Sequence, residues 1–420
     1  MNNVQFTPDM KKDYTILVPT MLPTHFKMIC QIFRSFGYKA DLLENYGQNV
    51  VDSGLKYVHN DTCYPALLVI GQFIDAIESG KYDPHKVALL LTQTGGGCRA
   101  SNYISLLRKA LEKAGYGYIP VISLNFSGLE SNPGFKITLP LLRQLVYAVF
   151  YGDLLMLLKN QCRPYEINEG ETEALCEKWT KKLVEEMAEG QMNYKTVKRR
   201  YAEIVSDFHN MPRTNEKKIK VGIVGEIFVK FSPLGNNHLE DFLVSEGAEV
   251  SMPGLVDFCI YCVYNNIVDT KLYGTGKVKS LVMKWVYNYL CEKQNDLIEA
   301  VKENSNFKAP TPIEHTRSLV EDYIGIGTKM GEGWLLPAEM LELIDSGVKN
   351  IVCAQPFGCL PNHIVGKGMM KPIKERNPDV NIVAIDYDPG ATKINQENRI
   401  KLMLSCAAEN LNNSKEEAKV

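Results

Sequence analysis

The stretch Val87-Ala88-Leu89-Leu90-Leu91-Thr92-Gln93, followed by Thr94-Gly95-Gly96-Gly97-Cys98, decides the fold. The unbroken apolar and β-branched run Val87–Thr92 predicts a strand buried on both faces. The glycine run and the helical spacing of Asn102–Lys113 then predict a strand-to-helix turn. The same alternation surrounds it. Thr15–Pro19, Lys39–Leu43 and Tyr118–Ser123 read as strands, and Phe26–Phe36 and Ala66–Glu78 as helices. Apolar strands separated by helices form a parallel sheet covered on both faces, a doubly wound unit over residues 1–151.

Downstream the texture changes. Between Arg163 and His209 charges crowd in, with Trp179, Leu183 and Met187 at helical spacing, so residues 152–216 read as a helical bridge. Lys218–Gly225 opens a second unit, residues 217–420, with further strands at Glu249–Met252, Asn350–Ala354 and Asn381–Asp386. A helical insertion covers Ser280–Tyr323, the last helix follows Pro389-Gly390, and the polar segment Asn412–Val420 reads as frayed. The expected class is α/β: two doubly wound, Rossmann-like domains with parallel sheets and a helical bridging region. Two similar halves suggest an old duplication.

Composition narrows the function. The chain has 420 residues, 45% of them hydrophobic, and a formal net charge of -2, which argues against a nucleic-acid binder working through bulk positive charge. Met1–Tyr14 lacks the apolar core of a secretory signal, and stretches such as Val87–Thr94 are too short to cross a bilayer. A cytoplasmic protein is expected, with no membrane and no nucleic-acid partner. Eleven cysteines in such a chain point to buried thiols, catalysis or metal rather than disulfides.

Three of those cysteines share one kind of place. Cys63, in Asp61-Thr62-Cys63-Tyr64-Pro65-Ala66, sits at a predicted helix start, with Pro65 in the first turn. Cys98 and Cys359 each follow a strand through glycine, Cys359 after Gln355-Pro356-Phe357-Gly358. Each of the three is predicted in a strand-to-helix loop at the carboxyl edge of a parallel sheet, where open α/β sheets bind ligands. Helix N-termini there stabilise thiolates, and Gly95, Gly96, Gly97 and Gly358 let backbone approach a bound group closely. Spacing alone leaves two readings open, packed core thiols or ligands of a metal cluster, because the cysteines are scattered rather than grouped as Cys-x-x-Cys.

Other features point at the same edge. Lys329-Met330-Gly331-Glu332-Gly333-Trp334 reads equally as a functional loop or an ordinary turn, and Glu226 as a cleft carboxylate or a helix cap. Tyr273-Gly274-Thr275-Gly276-Lys277 lacks the upstream Gly and following Ser/Thr of a phosphate-binding loop, so no ATP site is expected on this chain.

The motifs Asp61–Ala66, Leu91–Tyr103, Gly331–Trp334, Cys353–His363 and Asp386–Gly390 resemble those of the 2-hydroxyacyl-CoA dehydratase superfamily. Within it they are most similar to the C-terminal part of acyl-CoA dehydratase activase-related proteins and to double-cubane cluster proteins. The likeness runs from about Thr15 to Ser405. It implies two Rossmann-like domains around a cleft holding an oxygen-sensitive iron–sulfur cluster. The implied partner is a separate ATP-hydrolysing iron–sulfur activase that injects low-potential electrons.

The function implied is that of an oxidoreductase. It would carry an [8Fe-9S] double cubane and reduce a small-molecule substrate under anaerobic conditions, as a homodimer. The alternatives are a [4Fe-4S] dehydratase subunit eliminating water from a 2-hydroxyacyl-CoA through a ketyl radical, and a non-catalytic electron-storage or scaffold module. The implied core ligands are Cys63, Cys98 and Cys359. Cys353, Cys262 and Cys259 would complete a set of six, with Cys162 next, although Cys353 ends a predicted buried strand, where a core thiol is the default. Cys30, Cys176, Cys291 and Cys406 lie in helical patterns and read as structural. Glu332, Glu226 and His363 are the candidate proton donors.

Overall fold

A computed structural model describes residues 4–59, 61–93, 97–124, 130, 132–190, 192–274 and 276–417, with side chains through 409. The first half runs β1 (Thr15–Val18), α1 (Pro23–Ser35), β2 (Lys39–Leu42), α2 (Gln48–Tyr57), α3 (Tyr64–Glu78), β3 (Val87–Thr92), α4 (Tyr103–Ala114) and β4 (Val121–Leu124). All pairings are parallel, in the order β2-β1-β3-β4, with Thr15 beside both Lys39 and Val87. The second half runs from β5 (Lys220–Gly225) to β8 (Asn381–Tyr387) and repeats that order as β6-β5-β7-β8, with β6 Glu249–Ser251 and β7 Asn350–Pro356. The fold is α/β with two four-stranded parallel sheets flanked by helices, as two Rossmann-like domains require.

The inner strands β1, β3, β5 and β7 are buried on both faces, and their period of two sorts side chains between two cores. Ile16, Ala88, Leu90, Val224, Ile351 and Cys353 enter one core. Leu17, Leu89, Leu91, Ile223, Val352 and Ala354 enter the other. Both cores contain strands of both halves, so burial couples the two sheets.

Between the sheets lie α5 (Leu139–Cys162), α6 (Glu171–Glu189) and α7 (Tyr194–His209). The expected domain boundary at Tyr151 falls in the middle of α5, a continuous helix of 24 residues, and Tyr151 itself packs edge-on against Tyr201 of α7. α5 is also long and apolar enough to cross a membrane, which corrects the expectation that every apolar stretch is too short. More than half of its most apolar window is buried inside the fold. A helix enclosed by neighbours on all sides needs no polar face, and this is why it reads as apolar all round.

The second half also carries α8 (Ile227–Phe231), α9 (Leu255–Tyr273), α10 (Lys277–Asn304), α11 (Leu335–Asp345) and α12 (Lys393–Glu417). The helical excursion starts at Leu255, earlier than expected, and α12 continues through Asn412, where fraying was expected. Asp153 of α5 ties the halves together. Its Oδ1 accepts from His25 Nε2 of α1 at 2.8 Å and from the Leu255 N–H at 3.0 Å, and its Oδ2 accepts from the Val256 N–H at 2.7 Å. A carboxylate on two free N–H groups of a helix start is a strong local anchor.

Candidate functional site

The carboxyl edges of the two sheets face each other, and their loops interlock. Cys63 lies in the connection between two helices, α2 and α3, and not in the expected strand-to-helix loop; it has extended backbone and caps α3, with Pro65 in the first turn. The Tyr64 N–H, free at that helix start, donates to the Phe357 carbonyl of the second half at 3.0 Å. Gly358 lies at φ +70°, and a Cβ on it would come within 3.1 Å of Cys63 Cα. Only glycine accepts both that conformation and that approach without strain.

Cys98 ends its glycine loop in extended conformation, before a single 3-10 turn, Arg99–Asn102. Its carbonyl accepts from Ser101 Oγ at 2.7 Å, and Gln93 Nε2 donates to the Ser101 carbonyl at 2.8 Å. From the second half Met330 closes over this loop, its sulfur accepting from the Gly97 N–H at 3.2 Å. A Cβ on Gly97 would strike that sulfur at 2.6 Å, so the side chain that packs closely on the Gly97 backbone is Met330. Gly95 and Gly96 lie outside the described residues. Cys359 follows β7 through Gly358, and its carbonyl accepts from the His363 N–H at 3.1 Å and from His363 Nδ1 at 2.8 Å. His363 is thereby a brace of the Cys359 turn, with its ring exposed.

Two buried carboxylates stand among these thiols. Glu226 caps α8, its Oε2 accepting from the Val229 N–H at 2.9 Å, and Glu332 Oε1 accepts from the Ile227 N–H at 3.1 Å. Burial raises the pKa of Glu226, and the neighbouring Glu332 raises it further; burial also raises Glu332. The thiols share these neighbours. Burial pushes Cys98 up to about 11, with Glu332, Glu226 and Cys63 adding and the Ala100 N–H opposing. Burial raises Cys359, with Glu226, Glu332 and Cys98 contributing. Cys63 is raised by burial, against hydrogen bonds from Tyr103 and the Ala66 N–H. The three cysteines and two glutamates therefore form one electrostatic group.

The remaining cysteines divide. Cys262 of α9 is exposed at the cleft, with Glu332 as its charged neighbour. Cys259, one turn earlier, packs beside Leu22 and Phe231, and its charged neighbours are Cys262, Asp153 and Asp257. Cys353 does not join the group. It lies inside β7, paired with Val224 and Ala384 on either side, and is wholly buried. Its thiol reaches Asn362 Oδ1 at 3.6 Å, and its charged neighbours are Glu339, Asp386 and Lys367. The pleat turns it to the face of Ile351, into the core. Cys162 is likewise in the core, accepting from Arg213 Nη1 at 3.2 Å.

Several residues at the site had no role assigned from sequence. Tyr103 begins α4 and places its hydroxyl 2.9 Å from Cys63 Sγ. Tyr261 of α9 holds the glycine loop of Glu332, its hydroxyl 3.0 Å from the Lys329 carbonyl and 2.9 Å from that of Gly331. Lys230 of α8 pairs with Glu339 of α11 at 2.8 Å, both buried. Tyr103 lies within a quoted motif, yet no spacing says that its hydroxyl crosses to the loop of Cys63.

Among the described residues, no three His, Cys, Asp or Glu side chains stand close enough to hold a single metal ion. A cluster takes its thiolates at wider spacing, and a convergent set of thiols with no imidazole among them is the soft donor set that iron–sulfur clusters take. The residues present fit such a group.

No family model matches the chain, and no curated protein does. Among solved structures it is similar to a two-domain protein from Anabaena variabilis containing DJ-1/ThiJ/PfpI-like and ferritin-like domains. The match has 10% identity, covers 71% of this chain and 98% of that one, and has a TM-score of 0.13. A likeness of that size carries no argument.

Proposed function

We propose that this chain is an iron–sulfur oxidoreductase, receiving low-potential electrons from a separate ATP-hydrolysing reductase and passing them to a small-molecule substrate in the cleft. The observation that carries the reading is the convergence of Cys63, Cys98 and Cys359 from both halves onto the two buried carboxylates Glu226 and Glu332. Those three cysteines would hold the cluster, with Cys262 the next thiol in reach. A bound cluster would supply one-electron transfer at negative potential.

The chain's own residues have separate work. The missing side chains of Gly97 and Gly358 leave room for Met330 and for the Cys63 backbone, so the three thiol loops close on one another. Burial, with the like charge of Glu332 beside it, raises Glu226 so that it holds its proton more tightly than an exposed carboxylate, and it can hand that proton to a reduced substrate. His363 supports the Cys359 turn through its Nδ1 on that residue's carbonyl, which leaves the exposed ring's Nε2 for the proton donation expected of it. Phe357, Leu360 and Ile364 are exposed beside Cys359, and they offer an electron donor an apolar face close to the thiols. A cytoplasmic location and a homodimer belong to the same reading.

A second reading follows from the placement of Cys353. With Cys353 in the core and Cys259 packed beside Leu22 and Phe231, the group around Glu226 and Glu332 contains four thiols rather than six. This favours a single [4Fe-4S] cluster, and with it a dehydratase subunit acting on a 2-hydroxyacyl-CoA. Iron and acid-labile sulfide per chain, measured on anaerobically reconstituted protein, test both readings. About eight irons supports a double cubane, about four a single cubane, and none overturns the proposal. Steady acceptor-dependent ATP hydrolysis with a reductase partner separates an enzyme from an electron-storage module.

A further inference from the structure

We propose that Tyr103 is a positioning residue whose phenol donates a hydrogen bond to the Cys63 sulfur, so that it ties the two thiol loops of the first half and raises the reduction potential of a cluster bound there. The inference rests on the cluster reading above. Its geometric basis is the 2.9 Å approach of the Tyr103 hydroxyl to Cys63 Sγ.

Tyr103 belongs to the segment that follows Cys98, and three contacts hold that segment. Ser101 Oγ donates to the Cys98 carbonyl, Gln93 Nε2 donates to the Ser101 carbonyl, and the Arg99 guanidinium donates to the Asp61 carbonyl. The last of these already joins the loop of Cys98 to that of Cys63. Tyr103 makes the second join, and makes it at the sulfur itself. Each end of the bond is held separately: α4 carries the phenol and the start of α3 carries the thiol.

The charges around this sulfur are Glu226, Arg99 and the Cys98 thiol. Glu226, when ionised, opposes added electron density at the thiols. An O–H dipole aimed at the sulfur does the reverse, favouring the more negative, reduced state. Nothing else donates to Cys63 Sγ from a side chain among the described contacts.

The test uses the whole chain, reconstituted anaerobically, as wild type, as Tyr103→Phe and with 3-fluorotyrosine at position 103. Iron content and an EPR-monitored redox titration are read together. Tyr103→Phe is expected to keep its iron and shift the reduction equilibrium about tenfold against the reduced form, about 59 mV for a one-electron step. The fluorinated phenol, a stronger donor, shifts it the other way. Iron retained with an unmoved potential in both proteins overturns the proposal. Should the Phe protein lose iron, the fluorinated one keeps the join, and an unmoved potential there overturns it equally.

A wild type without iron overturns the cluster reading instead, and the hydrogen bond is then read in the iron-free chain. There, Tyr103→Phe slows alkylation of Cys63 several-fold relative to Cys98, followed by mass spectrometry. An unchanged ratio overturns the proposal.

Discussion

The two halves share a strand order and differ in what their carboxyl edges carry. In the first half, the turn after the first strand holds Thr20, a buried residue whose N–H donates to Gln72 Oε1 at 3.1 Å. In the second half, the same turn holds Gly225, at φ +142°, and then Glu226. The turn after the third strand ends in a cysteine in both halves, Cys98 and Cys359. The first half adds Cys63; the second adds Glu332 and, from α9, Cys262. Thiols thus come from both halves, while both buried carboxylates come from one. A repeated topology supplies two similar edges, and substitution at equivalent turns lets one hold protons while both hold sulfur. Neither half is a complete site.

The division can be broken at its strongest point first. Cys98→Ser and Cys359→Ser, one in each half, are each expected to lose most of the iron from the reconstituted protein. Cys353→Ser keeps it and instead lowers stability by about 1–3 kcal/mol, because a hydroxyl replaces a core thiol. Iron assays beside urea unfolding separate the outcomes, and iron loss in the Cys353 protein would return that residue to the ligand set.

Next in size is the buried pair of the second half. Lys230→Met leaves Glu339 without its partner and is expected to cost about 3–5 kcal/mol. Lys230→Met/Glu339→Leu recovers much of that loss, as denaturant midpoints will report. If the single substitution is neutral, the pair does not stabilise the proton-holding half.

Asp153→Ala tests the joint between the halves. It leaves the Leu255 and Val256 N–H groups without their acceptor, at a cost of about 1–3 kcal/mol. Faster alkylation of Cys262, on the helix that Asp153 anchors, should accompany the loss. An unchanged rate would show that the α9 start is held by other contacts.

Smallest is a pH effect confined to the second half. Glu226 has a raised folded pKa through burial and Glu332, so it binds its proton more tightly folded than unfolded. Its stabilising contribution is therefore full below the ordinary carboxylate value of 4.5 and is lost as pH rises through the raised value. Stability of the iron-free chain should fall across that window, and Glu226→Gln should flatten the fall. Urea unfolding at several pH values checks this; an unflattened curve would assign the slope elsewhere.

Among the described residues all eight strands were legible within a few residues; the inner ones, buried on both faces, write unbroken apolar runs such as Val87–Thr92. The long helix α5 was less legible. An enclosed helix loses the polar stripe that marks an amphipathic one, and its apolar stretch carried no sign of where one domain stops. Cys63, Cys98 and Cys359 could be placed at sheet edges from glycine, proline and cap signals, which are local. Cys353, six residues before Cys359, already read as a core thiol at the end of a buried strand; only the resemblance drew it into the ligand set, and the pleat turns it into the core.

Local chemistry thus determined the strands, the parallel α/β class and the edge positions of three thiols, since period, turn residues and caps act over a few residues. Tertiary structure alone decided the rest: that the two edges face each other, that Glu226 meets Glu332 across 106 positions of chain, and that Tyr103 reaches Cys63. Such encounters depend on how two sheets dock through shared cores, and short-range sequence patterns do not encode a partner that far away.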